Sequence, residues 1–328
     1  MKHIGRLALF LFLAVNAFFI GMLLLTAYSP YINPEVHPVQ SCLGLTFPIF
    51  LVINFCFLVF WLIVRYRLAL VPLLGFLLCY PQIRTYMPFN MGPSGQPENS
   101  IKLLSYNIMS FGNMKKENGQ NPILNYIKNS KADIVCMQEY AGSETAKIHL
   151  NNKEIRQALK DYPYRHIKQV GKTGAGSQIA CYSKFPILSA RMLDYQSNYN
   201  GSMVYDIKIG KDTVLLINNH LESNKLTRED KVVYEDMLKD PKAGKVKSGI
   251  RQLVNKLAEA SAIRSAQARA IAQEIARSPY PSVIVCGDFN DSPIGLFRKI
   301  WMTHSPNRDG DWVSRTTRIN STSGSTIS

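Results

Sequence analysis

Two stretches near the N-terminus decide what kind of environment this chain requires. Residues 4–28 are apolar apart from Gly5, Arg6, Asn16, Gly21 and Thr26, and residues 42–64 carry no charge at all. At 1.5 Å of rise per residue each is long enough for a hydrocarbon layer of about 30 Å. A helix in a water-soluble core keeps a polar face over such a length; these do not. A third run, 68–83, is shorter and contains Pro72 and Pro81. It is expected to be a short span or a re-entrant segment, with a span favoured. The second run and the missing small-residue cleavage site argue against a removed signal peptide. The chain therefore begins with a membrane anchor of two or three helices, residues 1–90.

The bases orient it. Lys2 and Arg6 stand at the start of the first run, and Arg65 and Arg67 lie between the second and third, whereas the 29–40 connection has no Lys or Arg. The positive-inside rule places the N-terminus and the 65–67 turn in the cytoplasm. Three spans then put the rest of the chain outside the cytoplasm, and two put it inside. The expectation is an integral protein of a bacterial inner membrane with its large domain outside. Residues 91–100 (MGPSGQPENS) read as a linker, and 101–328 as a second domain.

Charge is concentrated beyond the anchor. Of 38 basic and 23 acidic residues, 33 and 21 lie after residue 99, a net charge of +12. Anionic partners are favoured, but the charge does not choose among nucleic acid, nucleotide and lipid headgroup. The six cysteines (42, 56, 79, 136, 181, 286) form no CxxC pair and lie in or beside apolar runs. They read as small buried hydrophobes.

The second domain reads as strands that end in polar side chains. Residues 101–106 form a strand followed by Asn107. Asn121-Pro122 starts a helix whose apolar face is Ile123, Leu124 and Ile127. Residues 133–137 form the next strand, closed by Gln138 and Glu139. Residues 176–183 give another, and 204–209 with 213–218 a hairpin about Gly210-Lys211-Asp212; His220 follows. Residues 246–277 keep helical spacing through Ile250, Leu253, Leu257, Ala260 and Ile263. They lead into 282–293 (SVIVCGDFNDSP), a buried strand that ends in Asp288, Asn290 and Asp291. Asn107, Glu139, His220, Asp288 and Asn290 thus stand at the same end of successive strands. Carboxylate and amide oxygens suit Mg²⁺, and a histidine suits a phosphoryl oxygen or proton transfer near neutral pH. Taken singly, each has a plainer reading: a strand-end histidine is more often structural, and Asp-Phe-Asn-Asp is also a turn former.

In order, LLSYNI (103–108), DIVCMQE (133–139), IACYSKFPI (179–187), NNHL (218–221) and GDFND (287–291) make the chain resemble the endonuclease/exonuclease/phosphatase (DNase I-like) superfamily. The resemblance implies an α/β fold, a four-layered sandwich of two mixed β-sheets with its site at their top. It implies phosphoester hydrolysis with Mg²⁺ or Mn²⁺. By the motifs, Glu139 is the main metal ligand with Asn107 beside it, and His220 contacts the phosphate. Asp288 orients or deprotonates the attacking water, and Asn290 positions phosphate or nucleophile. The family's closing Asp-His motif has no counterpart here: His304 sits in MTHSPN, and 305–328 is rich in Arg, Ser and Thr. The domain is therefore expected to be C-terminally incomplete.

The leading reading is a membrane-tethered, metal-dependent phosphodiesterase or nuclease-like hydrolase acting on nucleic acid, nucleotide or a phospholipid headgroup. The alternative is a catalytically impaired member that binds an anionic ligand or membrane surface. A nucleic-acid patch at 224–260 is disfavoured, because Glu229, Asp230, Glu235, Asp236 and Asp240 interleave with its bases and no aromatic run offers stacking.

Overall fold

The computed structural model of the protein describes residues 2–87, 100–113, 120–142, 150–171, 178–195, 197, 199–224, 226–239 and 243–295. The expected 91–100 linker except Ser100, and His304 with the polar stretch after it, lie outside these residues. Contacts divide the chain into two compact units. Among the described residues, one joins the N-terminal helices with 224–265 and 291–295; the other holds the sheets, with 266–290.

In the helical unit, α1 (Lys2–Ala27) and α3 (Phe47–Val64) run antiparallel, joined through the short α2 (Pro38–Ser41) and a 3-10 turn, Cys42–Thr46. Two helical stretches, Arg6–Ala27 and Pro38–Val64, are long and apolar enough to cross a membrane. Phe10, Phe18, Val52 and Ile63 point outward from them and are exposed, so their outer surface is apolar as well. Cys56 is exposed on the same kind of surface and Cys42 is half-buried, so burial of every cysteine does not hold. Cys56 lies on the outer surface of α3 beside Val52, Phe55 and Val59, which are exposed as well, so an apolar run in the sequence does not by itself mean a buried thiol.

The third run is broken. After a 3-10 turn (Tyr66–Ala69), α4 (Leu70–Leu78) and α5 (Tyr80–Tyr86) meet at a bend of 69° and count as a further span only if the pair is taken as one. Pro81 stands in the first turn of α5, where its missing N–H is not needed, and it denies α4 a continuation. α4 lies against α1: a Cβ on Gly75 would sit 3.1 Å from Ile20 Cγ2, and the Tyr28 hydroxyl donates to the Leu78 carbonyl at 3.0 Å.

Polar groups lock this apolar unit. Asn16, Asn54 and Trp61 are fully buried. Trp61 Nε1 donates to Asn16 Oδ1 (3.0 Å), and Asn54 Nδ2 donates to the carbonyls of Phe19 (3.0 Å) and Phe50 (2.8 Å). Fully buried polar groups have no water to replace a lost partner, so these bonds fix the register of α1 on α3.

The sheet unit contains two four-stranded mixed sheets. The strands are β1 (Leu103–Asn107), β2 (Ile134–Tyr140), β3 (Tyr164–Gln169), β4 (Gln178–Ser183), β5 (Ile187–Met192), β6 (Gly201–Ile209), β7 (Asp212–His220) and β8 (Ser282–Asp288). Their orders are β1-β2-β4-β3 and β5-β6-β7-β8, with β1–β2 and β7–β8 parallel and the other pairs antiparallel. Apolar side chains of both sheets interdigitate between them: Leu103, Ile134, Cys136, Ile179 and Cys181 from one, Tyr205, Ile207, Leu216 and Cys286 from the other. On the outer face of the first sheet lie α6 (Pro122–Ser130) and α7 (Asn152–Ala158), contributing Ile123, Leu124, Ile127 and Ile155 to a second core with Val135, Met137 and Tyr182. Beside the second sheet lies the C-terminal part of α9 (Ala243–Ala276). Its Glu274 accepts from Arg191 of β5, and its Gln267 accepts from the backbone of Glu222. Helix, sheet, sheet and helix give the four layers.

Local chemistry explains these elements. Asn121 Oδ1 caps α6, accepting from Ile123 N (2.9 Å) and Leu124 N (3.2 Å), and Pro122 starts it, as the sequence predicts. The β6–β7 hairpin turns on Gly210-Lys211, one residue shorter than expected, with Gly210 at φ 59°. α8 (Arg228–Lys239) packs on α9 through Asp230, which accepts from Lys256 Nζ (2.6 Å) and Gln252 Nε2 (3.0 Å). Lys231 pairs with Glu235 one turn on, so part of the charge at 224–260 is spent within helices.

Two outcomes test this packing. Asn16→Leu strips the acceptor from the buried Trp61 N–H and destabilises the helical unit by about 1–2 kcal/mol in reversible detergent unfolding. Trp61→Phe then costs less in that background than alone, and equal costs would show that the bond contributes nothing. In the sheet unit, Asp133 accepts from Lys102 N (2.9 Å) and Lys184 Nζ (3.0 Å). Burial alone would raise its pKa, but these two donors outweigh it and hold the carboxyl below its usual 3.8. A pKa lower in the folded state stabilises above the unfolded value and is lost as pH falls through the folded one. The stability gap between wild type and Asp133→Asn should therefore narrow as pH falls from about 5 through 3.8 and below, read from denaturant midpoints.

Candidate active site

The parallel pair of each sheet ends on one shared rim. Asn107 is the last residue of β1, His220 of β7 and Asp288 of β8, and Glu139 is the penultimate residue of β2. Asn290 follows Asp288 by two. All five residues singled out from the sequence meet in one network.

Its centre is the Asn107 amide. Nδ2 donates to Glu139 Oε1 at 2.9 Å and to Asp288 Oδ2 at 2.9 Å, so one side chain bridges a carboxylate from each sheet. Its Oδ1 accepts from Met109 N at 3.2 Å. His220 Nε2 lies 3.6 Å from Glu139 Oε1. The other oxygen of Asp288 accepts from Asn290 N (3.0 Å), and Asn290 Nδ2 donates to the Leu221 carbonyl (3.0 Å).

Backbone distortions aim these groups. The pairing of β2 with β4 shifts register between Met137 and Tyr140, and Glu139 within that bulge has φ 51°. A bulge turns one side chain out of the alternation of the strand, and a left-handed glutamate persists only where its surroundings hold it. Gln138 and Glu139 thus lie inside β2 rather than after it. Gly287 has φ 132°, and any Cβ there would collide with the Asn219 backbone. That position brings β8 against β7 just before Asp288, and only glycine fits it. Asn290, at φ 51°, is of a type that tolerates this conformation.

Beneath the rim, buried amides of Gln138 and Asn218 tie the two sheets together, and that of Asn219 ties β7 to β8. Gln138 Nε2 donates to Asn218 Oδ1 at 2.6 Å, Asn218 Nδ2 to the Ala180 carbonyl at 3.3 Å, and Asn219 Nδ2 to the Cys286 carbonyl at 2.9 Å. Glu222 is a residue the sequence reading missed. It is 5% exposed and accepts from Ser197 Oγ at 2.8 Å. Its only signal was its spacing, two after His220.

His220 is 5% exposed. Burial lowers its pKa, against the pull of the Asp288, Glu139 and Glu222 carboxylates, and the net shift is downward. The imidazole is therefore held neutral near neutral pH. Among the described residues no three His, Cys, Asp or Glu side chains converge as a metal-binding group. The rim instead offers carboxylates of Glu139 and Asp288 with an amide and an imidazole. One or two carboxylates, hard oxygen donors and room for water are what Mg²⁺ accepts, so the donor set fits that ion.

Comparison with known proteins shows the family. The family described as "Endonuclease/Exonuclease/phosphatase family" matches residues 104–327, and a domain of unknown function (DUF8431) matches residues 9–86. No curated protein matches the chain. Among solved structures, sphingomyelinase C from Streptomyces griseocarneus is 17% identical, over 62% of this chain and 69% of that one, with a TM-score of 0.40. Beta toxin from Staphylococcus aureus is 16% identical, over 62% and 71%, with a TM-score of 0.39. Truncated TDP2 from Caenorhabditis elegans is 19% identical, over 58% and 62%, with a TM-score of 0.35. The assignment rests on the family match, which covers well over half of the sequence: the chain belongs to the endonuclease/exonuclease/phosphatase family.

Proposed function

We propose that the protein is a membrane-held, metal-dependent phosphodiesterase whose reaction takes place at the rim where Asn107, Glu139, His220, Asp288 and Asn290 meet. The observation that carries this reading is the Asn107 amide bridging Glu139 and Asp288 from opposite sheets, which draws the polar ends of four strands to one point. Family membership supplies the reaction class, hydrolysis of a phosphoester.

Glu139 would hold Mg²⁺ or Mn²⁺, with Asn107 beside it. The bound ion supplies neutralisation of charge on the phosphoryl oxygens. The chain's own groups do the rest. Asp288 orients the attacking water and takes its proton. His220, kept neutral by burial, donates a hydrogen bond to a phosphoryl oxygen, and so stabilises the charge that grows there. Asn290, its amide fixed by the Leu221 carbonyl, positions phosphate or nucleophile. The substrate is a phosphoester of nucleic acid, nucleotide or phospholipid headgroup.

The helical unit supports a location outside the cytoplasm. α4 returns from the Arg65–Arg67 end to the end where Tyr28 meets Leu78, and the Tyr86 ring lies 5.5 Å from that of Phe47, at the start of α3. The chain thus leaves the helices at the end bearing the 29–40 connection, which is free of Lys and Arg. The positive-inside rule assigns that end to the outside.

Two measurements test these statements. Full-length protein should hydrolyse bis-p-nitrophenyl phosphate with Mg²⁺ or Mn²⁺, and Glu139→Ala and Asp288→Ala should each lower kcat at least about a hundredfold. Full activity in both variants would contradict the assigned roles. Protease added to intact cells should cut within 100–295; complete protection, with cleavage only after lysis, would place the domain inside.

A further inference from the structure

Glu222 is a buried carboxylate that the proposed reaction leaves without a task. It stands two residues past His220, in irregular chain beyond the end of β7. Backbone and side chain are both engaged inside the sheet unit. Its N–H donates to Gln267 Oε1 (3.0 Å), and its Oε2 accepts from Ser197 Oγ (2.8 Å). Ser197 Oγ in turn accepts from Asn200 N (3.1 Å), and Asn200 Nδ2 donates to the Leu221 carbonyl (3.0 Å). Ser197, Asn200 and Leu221 are buried as well. The register brings this group to the rim, because Gly201 at the start of β6 pairs with His220.

The chain of bonds reaches the site at Leu221. Its carbonyl accepts from Asn290 Nδ2 (3.0 Å) as well as from Asn200, and its N–H donates to the Asp288 carbonyl (2.9 Å). We infer that Glu222 is a positioning residue: through its own N–H, and through Ser197 and Asn200, it fixes the Leu221 carbonyl on which the Asn290 amide rests. The effect on turnover rests on the hydrolase reading; the hydrogen bonds do not. The Leu221 C=O and the Glu222 N–H belong to one planar peptide unit, so a hold on the N–H also aims the carbonyl. Leu221 lies past the last paired residue of β7, and no further ladder partner sets that plane. Ser197 and Asn200 also belong to no helix or strand. What brings Asn200 to the carbonyl is the bond from its N–H to Ser197, and what holds Ser197 is the carboxylate. A hydroxyl bonded to a buried carboxylate is held more firmly than one bonded to a neutral acceptor. With the tether cut, Asn290 would rest on a peptide free to turn. An error of about 1 Å in such a group appears in the chemical step more than in substrate binding.

The test uses the full-length protein in lipid nanodiscs with bis-p-nitrophenyl phosphate. Glu222→Ala should lower kcat about tenfold, with KM within about threefold of wild type. Glu222→Gln, which still accepts from Ser197, should keep kcat within about threefold of wild type. Ser197→Ala cuts the same path one step on, so the double variant should be no slower than the slower single one. Hydrogen exchange reads the tether without turnover. In Glu222→Ala, peptides covering 199–203 and 286–292 should exchange at least about threefold faster, with β2 unchanged. If Glu222→Ala does not fold, Ser197→Ala, which removes a single oxygen, carries both measurements. Wild-type exchange at 199–203 and 286–292 would overturn the inference, as would losses that multiply in the double variant or a Glu222→Gln as slow as Glu222→Ala. Faster exchange in a protein whose wild type shows no turnover would uphold the tether and sink the hydrolase reading.

Discussion

Two carboxylates, one from each sheet, share the protons of a single amide, and the site depends on that arrangement. Glu139 and Asp288 would repel if they faced one another at a half-buried rim. The Asn107 Nδ2 group stands between them at 2.9 Å from each and turns the repulsion into two charge-assisted hydrogen bonds. The bridge requires that β1, β2 and β8 end at one level. That follows from the parallel β1–β2 pair, the parallel β7–β8 pair, and the packing of the Cys136, Cys181 and Cys286 side chains between the sheets. Under the bridge, Gln138 and Asn218 make the corresponding contact between neutral groups. The rim is therefore rigid because polar pairs from opposite sheets are satisfied by each other.

The helical unit is built on different physics. Its helices are apolar almost all round, and they are aligned by close approach and by hydrogen bonds. Gly75 lets α4 approach Ile20, and Trp61, Asn16 and Asn54 tie α1 to α3. Such contacts set register sharply, because a slip of one residue strands a buried N–H without its partner. A register held in this way also makes the end of the unit a well-defined surface, the surface on which Ile294 is seated.

Much of this was legible in the sequence, for identifiable reasons. β1, β7 and β8 read as largely apolar runs, and their polar last residues stand out against them: Asn107, His220 and Asp288 were found in this way. The Asn121-Pro122 helix start was also visible, because its cap is local. β3 (YRHIKQ) and β5 (ILSARM), at the opposite edges of the two sheets, were not: they are mostly half-buried or exposed and carry no clear alternation. The bulge at Glu139 left no mark either, since no glycine announces it and Gln138-Glu139 looks like a strand that has ended. Glu222 was missed because its partners, Ser197 and Gln267, lie far away in sequence. Pro72 and Pro81 warned of an interrupted third helix, but the 69° bend follows from where Pro81 falls, just after Cys79. That Asp291 and Ile294 belong with the helices could not be read from a motif that continues without a break from Gly287.

The most direct test of the central claim is manganese binding to the full-length protein, followed by electron paramagnetic resonance. The account predicts one or two bound Mn²⁺ ions per chain, lost or weakened at least about tenfold in Glu139→Gln with the fold retained. Manganese bound with equal affinity by wild type and Glu139→Gln would place the ion elsewhere and contradict the account.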